Sequence, residues 1–366
     1  MPKYDIIIVA NSPGELSALV KPVAETLHKK IEDARLILVL TPCQYTSGKE
    51  IEYIKTIRGI SGVIPQEEYS KWILRSNKPK INFNAKGIVL YLGGDLAHAI
   101  LVSKKVKYPA YAYVQDRTGW NGSYKKFFIP DAKAKKKLKL KKKVKIVGDL
   151  MVDSIETMKK WAPKKNVITF LPGSRSWQIN HTTPIYKKII EHIRAEMPQI
   201  NFQLVSSPFI KARPIKGVKR VGLDEVYNSE LVITIPGTNT ARLAALGMPM
   251  LVVFPLDNSD IIPLEGLPHY IGKIPYIGLK FKRALIDTLN KKIKYFALPN
   301  MKADREITPE IRGVVDPAIV ALKAIALLKD YDQRKKMSED LKKAMGKPGA
   351  AEKIAEEIDE ALRKTA

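Results

Sequence analysis

The sequence predicts an α/β protein made of two Rossmann-like, doubly wound domains. Short apolar segments, such as residues 4–10 and 87–92, alternate with amphipathic helical segments, which is typical of a parallel sheet covered by helices. The alternation starts again at Val167, after a polar stretch (158–166) that indicates a linker. Because open α/β sheets bind ligands at the carboxyl ends of their strands, we expect the two domains to face a common cleft.

The predicted domain bounds follow from where this alternation stops and restarts. The N-terminal domain covers residues 1–157 and the second domain 167–330, and C-terminal helices over 331–366 are expected to cross back to the first domain. Strands are predicted at 4–10, 35–40, 87–92, 110–114, 126–129, 145–147, 167–171, 202–206, 231–235 and 250–254. Segment 59–69 is too mixed to assign, and the Pro- and Gly-rich segment 257–282 predicts a long covering or functional loop.

The chain is strongly basic. Among its 366 residues, 63 Lys and Arg outweigh 37 Asp and Glu, for a net charge of +26. Such a positive charge favours polyanions as partners, and a thermophilic or otherwise lysine-rich proteome is the alternative explanation. Segment 133–145 holds nine lysines but no aromatic residue and no arginine, so it predicts no specific nucleic-acid site. We expect an anionic membrane surface as the partner of this charge.

The cysteine and histidine residues limit which disulfides and metal sites the chain can form. The single cysteine, Cys43, excludes a disulfide within the chain and favours a reducing, cytoplasmic location. The N-terminus leads straight into a predicted strand, so we expect no signal peptide, and no segment has the roughly 18 successive apolar residues of a membrane span. The five histidines lack metal-ligand spacing. We predict no metal and no cofactor, and a cytoplasmic protein that can sit on the inner face of the membrane.

Two glycine turns in the second domain predict an anion site. Residues 171–175 and 236–240 each follow an apolar strand and precede a helical pattern. Glycine lets backbone N–H groups approach an anion, a helix N-terminus adds partial positive charge, and an arginine can clamp a diphosphate. The predicted diphosphate ligands are Gly173, Ser174, Arg175, Gly237, Thr238, Asn239 and Thr240. The alternative that each turn is an ordinary strand-to-helix connection stays open.

Two acids stand at strand ends in the first domain. Glu15 follows the first strand and Asp95 follows Gly94, and a carboxylate at such a position can act as the base that activates an acceptor hydroxyl. A purely local role is the alternative for each, since Asp95 can cap a helix and Glu15 can favour its dipole. His98, Asp116 and Arg117 are weaker candidates for the same site.

These motifs resemble the lipid-A-disaccharide synthase family. The resemblance rests on Leu171-Pro-Gly-Ser-Arg175, Pro236-Gly-Thr-Asn-Thr240 and Leu298-Pro-Asn-Met301 in the second domain. In the first domain Asn11-Ser-Pro-Gly-Glu15 and Gly94-Asp95-Leu96 fall in matching order, as does Val147-Gly-Asp-Leu-Met-Val-Asp153. The likeness covers residues 4 to 317, and its second-domain motifs are the more specific ones.

The resemblance implies a GT-B glycosyltransferase. In such an enzyme the second domain binds a UDP-sugar and the first binds a lipid or sugar-phosphate acceptor, and an acylated glucosamine is transferred with inversion and without a metal. Carried over by position, Asp95 is the base and Glu15 lines the acceptor side, the two glycine turns hold the diphosphate, and Asn300 lies near the donor. Pro236 and Arg242 depart from the family pattern at the second turn, so the nucleoside contact is expected to differ.

Two other classes of function remain open from the sequence. One is a nucleotide-sugar epimerase, or a transferase with a soluble acceptor, on the same architecture. The other is a non-catalytic basic protein that binds lipid surfaces or nucleic acid, which steep salt dependence without nucleotide affinity would reveal. The sequence also leaves open the donor sugar, the acyl chains and whether the protein forms a homodimer.

Overall fold

The computed structural model describes residues 2–43, 48–75, 77–141, 143–155, 158–206, 214–257 and 278–364. Contacts divide the chain into two units, of which the first comprises Met1–Thr157 with Gly346–Ala366 and the second Met158–Met345. Each unit is built on one parallel sheet. The predicted fold class, an α/β protein of two Rossmann-like units, is confirmed.

The first unit has seven strands, in the order β3-β2-β1-β4-β5-β6-β7, and all are parallel. The strands are β1 (Tyr4–Ala10), β2 (Ala34–Leu40), β3 (Ile60–Ile64), β4 (Lys86–Tyr91), β5 (Ala110–Tyr113), β6 (Tyr124–Ile129) and β7 (Val144–Ile146). The central strands are continuous apolar runs because helices cover both of their faces. Ile6, Ile7 and Ile8 of β1, for example, are fully buried.

The helices of the first unit begin at recognisable caps. Ser12 and Glu15 form a capping box at α1, and Asp95, Asp131 and Asp149 cap α5, α6 and α7. These helices are α1 (Pro13–Glu15), continued by a π-helical segment (Leu16–Val20) and α2 (Lys21–Lys30), then α3 (Glu50–Ile54), α4 (Gln66–Arg75), α5 (Leu96–Val106), α6 (Ala132–Lys137) and α7 (Leu150–Asp153).

The second unit has six parallel strands in the order β10-β9-β8-β11-β12-β13. They are β8 (Val167–Leu171), β9 (Asn201–Val205), β10 (Lys219–Val221), β11 (Leu231–Thr234), β12 (Met250–Pro255) and β13 (Glu310–Gly313). Its helices are α8 (Ser176–Glu196), a 3-10 helix (Leu223–Asn228), α9 (Thr238–Leu246), α10 (Gly278–Lys292), α11 (Leu298–Ala303), α12 (Pro317–Lys329) and α13 (Tyr331–Met345).

The last helix, α14 (Ala350–Arg363), returns to the first unit. Its apolar side chains, including Ile354 and Ile358, are fully buried in the same core cluster as α2. Asp153 holds its start, because the carboxylate accepts hydrogen bonds from the backbone N–H groups of Gly349 (2.8 Å) and Ala351. Burial raises the pKa of Asp153, against the effect of these hydrogen bonds. The first core is therefore completed by the C-terminal end of the chain.

Two parts of the sequence reading need correction. Segment 59–69, which the pattern left unassigned, contains β3 and the start of α4. The predicted loop over 257–282 lies outside the described residues between 258 and 277, and from Gly278 onward the chain is helical in α10. Within the described residues, no helix combines the length and the apolar composition that crossing a membrane requires.

Candidate active site

The first unit has its topological switch point between β1 and β4, where connections leave in opposite directions. Glu15 ties the two loops together at this place. One carboxylate oxygen accepts hydrogen bonds from the N–H groups of Asn11 and Ser12, both at 3.1 Å, and the other accepts from the N–H of Gly94 at 3.1 Å. A side chain at Gly93 would collide with the Glu15 carboxylate. Glu15 therefore fixes the geometry of the edge at which Asp95 stands.

Asp95 is exposed at the carboxyl end of β4, directly after this junction. One of its oxygens caps α5 by accepting from the N–H of Ala97 at 2.8 Å, so the capping role considered from the sequence is present. The preceding carbonyl, of Gly94, accepts from the Tyr91 hydroxyl at 2.6 Å and from the Arg117 guanidinium at 3.0 Å. An exposed carboxylate with a fixed backbone can accept a proton from a bound hydroxyl group.

A small cavity of about 90 Å³ opens beside Glu15, at the carboxyl ends of β1, β4 and β5. Its lining residues are Glu15, Leu19, Tyr91, Leu92, Gly93, Tyr113, Val114, Gln115, Asp116 and Arg117. Tyr113 is fixed there by hydrogen bonds from the side-chain amide of Gln115 (3.0 Å) and the N–H of Leu150 (3.2 Å). Sequence reasoning missed Tyr91, Tyr113 and Gln115, although their positions at strand ends were a usable signal.

Burial is the main cause of the pKa shifts of Tyr91, Tyr113 and His98, which lie in or near this cavity. Burial raises the pKa of Tyr91, which the nearby Arg117 opposes, and it also raises the pKa of Tyr113, with Asp149 acting in the same direction. Burial lowers the pKa of His98, which the charge of Asp95 opposes. Both tyrosines are thus neutral donors or acceptors at neutral pH, not anions.

His98 lies one turn into α5 from Asp95. Its Nδ1 is 2.6 Å from the Tyr69 hydroxyl, and the two rings meet edge to face with centroids 5.3 Å apart. Tyr69 is buried, and burial raises the pKa of its hydroxyl, with Asp95 adding to the effect. The pair fixes the orientation of the His98 ring close to the charge of Asp95.

The second unit brings the two predicted glycine turns together at its own switch point. β8 and β11 are neighbours in register, with Leu171 opposite Thr234, so the turns that follow them lie side by side. Gly173 has a φ of +103°, and a Cβ built there would lie 2.7 Å from Cδ1 of Ile235, in the other turn. Glycine is required at this position because the backbone is left-handed and the turns are in close contact.

The first of these turns does not present its backbone to a ligand as the sequence suggested. The N–H groups of Ser174 and Arg175 donate to the side-chain oxygen of Gln178, at 3.1 and 3.2 Å. These two N–H groups are therefore occupied by Gln178, and the polar side chains of the turn, those of Ser174 and Arg175, are both half-buried. Gln178 was missed in the sequence, although a Gln at the third helical position is a usual capping partner.

At the second turn, no side chain caps the start of α9. Gly237 has no side chain to cap the helix, and its N–H donates to the Thr240 hydroxyl at 2.9 Å. Thr240 is fully buried, and its hydroxyl donates to the Gly237 carbonyl at 2.8 Å, so its role is to hold the turn and not to bind a ligand. The N–H groups of Thr238 and Asn239 belong to the first turn of the helix, where no helical carbonyl is available to them.

A histidine and a tryptophan flank this edge. His181 Nε2 lies 3.3 Å from an oxygen of Asp257, which follows β12. Trp177 stands one turn earlier on α8, and its buried indole N–H finds no hydrogen-bond acceptor among the described residues. Trp177 and His181 lie on the first two turns of α8, and Arg175 directly precedes this helix, so the start of α8 brings three polar side chains to the second switch point.

The position of Asn300 contradicts the prediction that this residue lies near the donor. It is fully buried on α11, where its amide donates to the Thr308 carbonyl and to Glu310, both at 2.8 Å. Its oxygen accepts from the N–H groups of Ile307 and Thr308, so both ends of the amide are used. Glu310 opens β13, which puts Asn300 at the amino-terminal edge of the sheet, a strand length from the glycine turns. Asn300 stabilises the connection into β13.

Metal ligands do not gather in either unit. Over the residues that the structure describes, no group of three or more His, Cys, Asp or Glu side chains is arranged to hold a metal ion. The acids at the first switch point are engaged with backbone N–H groups, and neither turn at the second one carries an acid. The polar groups present suit hydrogen bonding and anion stabilisation.

Two Rossmann-like units of this kind are typical of a GT-B type fold, and solved structures with such a fold align over nearly the whole chain. The UDP-GlcNAc 2-epimerase from Neisseria meningitidis bound to UDP-GlcNAc aligns with a TM-score of 0.59 at 14% identity, covering 97% of this chain and 100% of that one. CalG4, the calicheamicin glycosyltransferase, aligns with a TM-score of 0.56 at 12% identity, covering 100% and 99%. At these identities the likeness concerns the fold.

Sequence relatives narrow the class. The chain is similar to the lipid-A-disaccharide synthase of Syntrophus aciditrophicus (25% identity over 237 residues, 58% of this chain and 56% of that protein) and to that of Persephonella marina (27% over 215 residues, 54% and 51%). The resemblance seen in the motifs is therefore confirmed. The chain spans about half the length of the curated relatives that it matches. No protein-family model matches the chain.

Proposed function

We propose that the protein is an inverting, metal-independent glycosyltransferase. It moves a sugar, in our proposal an acylated glucosamine, from a UDP-sugar to a lipid or sugar-phosphate acceptor at an anionic membrane surface. The observation that carries the proposal is the pair of contacting glycine turns at the switch point of the second sheet. Similarity to lipid-A-disaccharide synthases supports the choice of reaction.

The second unit suits the donor because its switch point favours negative charge. A diphosphate placed there meets the uncapped start of α9 at Thr238 and Asn239, and the side chains of Ser174 and Arg175. The helix start supplies about half a positive charge, and an arginine can bind two phosphate oxygens at once. The structurally similar Neisseria epimerase was solved with UDP-GlcNAc bound, which supports a UDP-sugar as the ligand.

The first unit suits the acceptor because its switch point offers a base. In the proposed step the acceptor oxygen attacks the anomeric carbon, and the bond from that carbon to the UDP oxygen breaks. Asp95 takes the proton of the acceptor hydroxyl, and the departing diphosphate keeps the electron pair and is stabilised by Arg175 and α9. Glu15 holds the loops and does not react, since its two oxygens already accept three backbone N–H groups.

A UDP-sugar epimerase is the second candidate, on the strength of the structural likeness to the Neisseria enzyme. Such an enzyme would alter the sugar of its nucleotide without any acceptor. A transferase would release UDP at an appreciable rate only when an acceptor is present. Product analysis by mass spectrometry and NMR, with and without lipid and sugar-phosphate acceptors, separates the two.

The first test is nucleotide binding by thermal shift. UDP, UDP-N-acetylglucosamine, CDP, GDP and ADP are compared on the wild type, on Arg175→Ala and on the control Arg220→Ala, which changes an exposed arginine of the edge strand β10. A ligand at about a hundred times its Kd stabilises a protein by about 2.7 kcal/mol, or several degrees. We expect a UDP-selective shift that Arg175→Ala loses and Arg220→Ala keeps.

The absence of any nucleotide shift would contradict the proposal and favour a non-catalytic basic binding protein. An unchanged UDP shift in Arg175→Ala would instead contradict the place assigned to the diphosphate. Asp95→Asn provides the corresponding test of the first unit, since UDP binding should persist while transfer falls by about a hundredfold or more, as is usual when a general base is removed.

A further inference from the structure

One side of the first unit carries a dense set of exposed lysines. α5, the β5–β6 connection (114–123) and α6 each link adjacent strands in one direction along the sheet, so these right-handed crossovers cover the same side. Their inward side chains, such as Leu96, Val114 and Leu138, share one core cluster. Their exposed outward side chains form what we name the lysine face: Leu101, Lys104, Lys105, Lys107, Trp120, Lys133, Lys135, Lys136, Lys137, Lys139 and Lys141.

Acidic residues are few in the segment that carries the lysine face. Between residues 96 and 141 the chain has twelve Lys and Arg but two Asp residues. Lys135, Lys136 and Lys137 on α6 form no ion pair with any residue that the structure describes. The other side of the same sheet differs, because acids of α14 pair with lysines there: Glu352 with Lys30, and Glu357 with Lys126 and Lys145.

Backbone strain coincides with the side chains of this face. Lys107, Trp120 and Lys139 have positive φ angles of 62°, 56° and 52°. A left-handed backbone costs free energy for any residue with a Cβ, and glycine or asparagine would be cheaper in these turns. Positively charged and aromatic side chains therefore stand at three positions where the fold alone favours other residues. A function of the side chains themselves explains this choice.

The shape of the face suits lipid headgroups. An open depression of about 430 Å³ is lined by Ala132, Lys135, Lys136, Lys139, Leu140 and Lys141, which combine ammonium groups with their aliphatic stems. Trp120 is 59% exposed and Leu101 is 39% exposed. Tryptophan prefers the interface between water and hydrocarbon, and lysine stems can extend along apolar material while the charge meets phosphate groups.

We propose that the lysine face binds the surface of an anionic lipid bilayer. The depression on α6 takes lipid headgroups and Trp120 enters the interface. The role of this binding rests on the proposed function, because it brings a lipid acceptor to the unit that holds Glu15, Asp95 and their cavity. A bilayer fits better than nucleic acid, since the face has one exposed aromatic ring and no row of aromatic side chains on which bases could stack.

The test is binding of the full chain to vesicles. Vesicles of phosphatidylcholine with one third phosphatidylglycerol are compared with pure phosphatidylcholine by co-sedimentation at several salt concentrations. The face variant carries Lys135→Glu, Lys136→Glu and Lys141→Glu. The matched control carries Lys335→Glu, Lys336→Glu and Lys343→Glu, which change three exposed lysines of α13 in the second unit. The two variants have the same net charge, so a difference between them reports position.

We expect salt-sensitive binding to the anionic vesicles only, a loss of about a hundredfold in the face variant and a much smaller loss in the control. The Trp fluorescence should shift to the blue on binding, and Trp120→Phe should remove that shift. Equal losses in both variants, or equal binding to both kinds of vesicle, would overturn the proposal. If inorganic phosphate at constant ionic strength released the protein from the vesicles, the lysine face would be a site for phosphate and not for a bilayer surface. If the protein bound an oligonucleotide but no vesicles, the partner of the face would be nucleic acid.

Nucleotide binding separates this inference from the proposed function. The face variant should keep the UDP-selective thermal shift, because none of its substitutions lies in the second unit. A protein that binds UDP but not vesicles would leave the transferase proposal standing without the membrane surface. A protein that binds vesicles through the lysine face but no nucleotide would keep the membrane surface and remove the transferase proposal.

Discussion

The two switch points have the same topology but differ in the charge of the residues that cap their turns and helices. In each unit the first strand of the Rossmann-like fold ends in a turn whose N–H groups are capped by the third residue of the next helix, Glu15 in one case and Gln178 in the other. Across the switch point the next helix is capped by Asp95 in the first unit and by Gly237, which has no side chain, in the second. The two loops at the first switch point therefore carry the carboxylates of Glu15 and Asp95, whereas the two glycine turns at the second switch point carry none.

This difference supports the proposal that the first unit binds the acceptor and the second unit binds the donor. At the first switch point the oxygens of Glu15 already occupy the N–H groups that an anion would use, including that of Gly94 in the facing loop. A neutral hydroxyl group next to a base is the substrate that such an edge accepts most easily. At the second switch point a neutral cap and an open helix start leave positive potential for a diphosphate. We therefore expect that a change in one cap residue alters what the same fold can bind.

The largest expected effect concerns the contact between the two glycine turns. In Gly173→Ala the new Cβ would lie 2.5 Å from Oε1 of Gln178 and 2.7 Å from Cδ1 of Ile235, at a φ of +103°. We expect a loss of about 2–4 kcal/mol in the free energy of unfolding, from backbone strain and from displacement of these neighbours. Urea unfolding followed by circular dichroism measures it.

Gly346→Ala is the control for that substitution. Gly346 has a similar positive φ of +83°, but a Cβ there would meet no atom within 4 Å. It should lose about 1 kcal/mol, which is the cost of the backbone conformation alone. If both variants were equally destabilised, the two turns would not be in the close contact described, and the case for a shared diphosphate site would weaken.

The second prediction concerns a substitution that places a carboxylate at the second switch point, in the position that Glu15 has at the first. In Gln178→Glu a carboxylate can still accept the N–H groups of Ser174 and Arg175, so the fold should be stable. The added charge should repel a diphosphate, and we expect the Kd of UDP to rise at least about tenfold, or about 1.4 kcal/mol. Isothermal titration calorimetry measures this change. Gln333→Glu, an exposed position on α13, should leave the Kd unaltered, and an unchanged Kd in Gln178→Glu would exclude a diphosphate from this edge.

The fold could be predicted largely from the sequence because the buried strands are continuous apolar runs that glycine turns end. β1 and β8 are of this kind, and no surface position interrupts them. β3 was missed because it is the edge strand of the first sheet, where partial exposure replaces the apolar run with Ser61 and Gly62. The return of α14 to the first unit could be expected from its amphipathic pattern, but its anchoring on Asp153 depends on a contact between residues almost two hundred positions apart.

The candidate site could be predicted only as far as local rules apply. Glycines at strand ends predicted the two turns. The turns are neighbours in the structure because the strands that precede them, β8 and β11, are paired. The roles of Thr240 and Asn300 could not be read in the same way, because a polar side chain near a motif can serve the backbone as readily as a ligand. Asn300 lies at the opposite edge of the sheet because its amide is hydrogen-bonded to the segment that enters β13, and no local pattern encodes this pairing.

The smallest expected effect tests whether the first switch point is negatively charged. Burial lowers the pKa of His98 below 6.5, and Asp95 opposes this shift. The native state therefore binds fewer protons than the unfolded state just below pH 6.5, and the unfolding free energy falls as the pH drops through this range. In Asp95→Asn the pKa of His98 should fall further, because the charge that opposes the effect of burial is removed. NMR titration of the His98 ring measures it, and the exposed Asp116→Asn is the control. A pKa that moves equally in both variants, or in neither, would mean that the charge of Asp95 does not govern this edge, and the contrast between the two switch points would then rest on Glu15 alone.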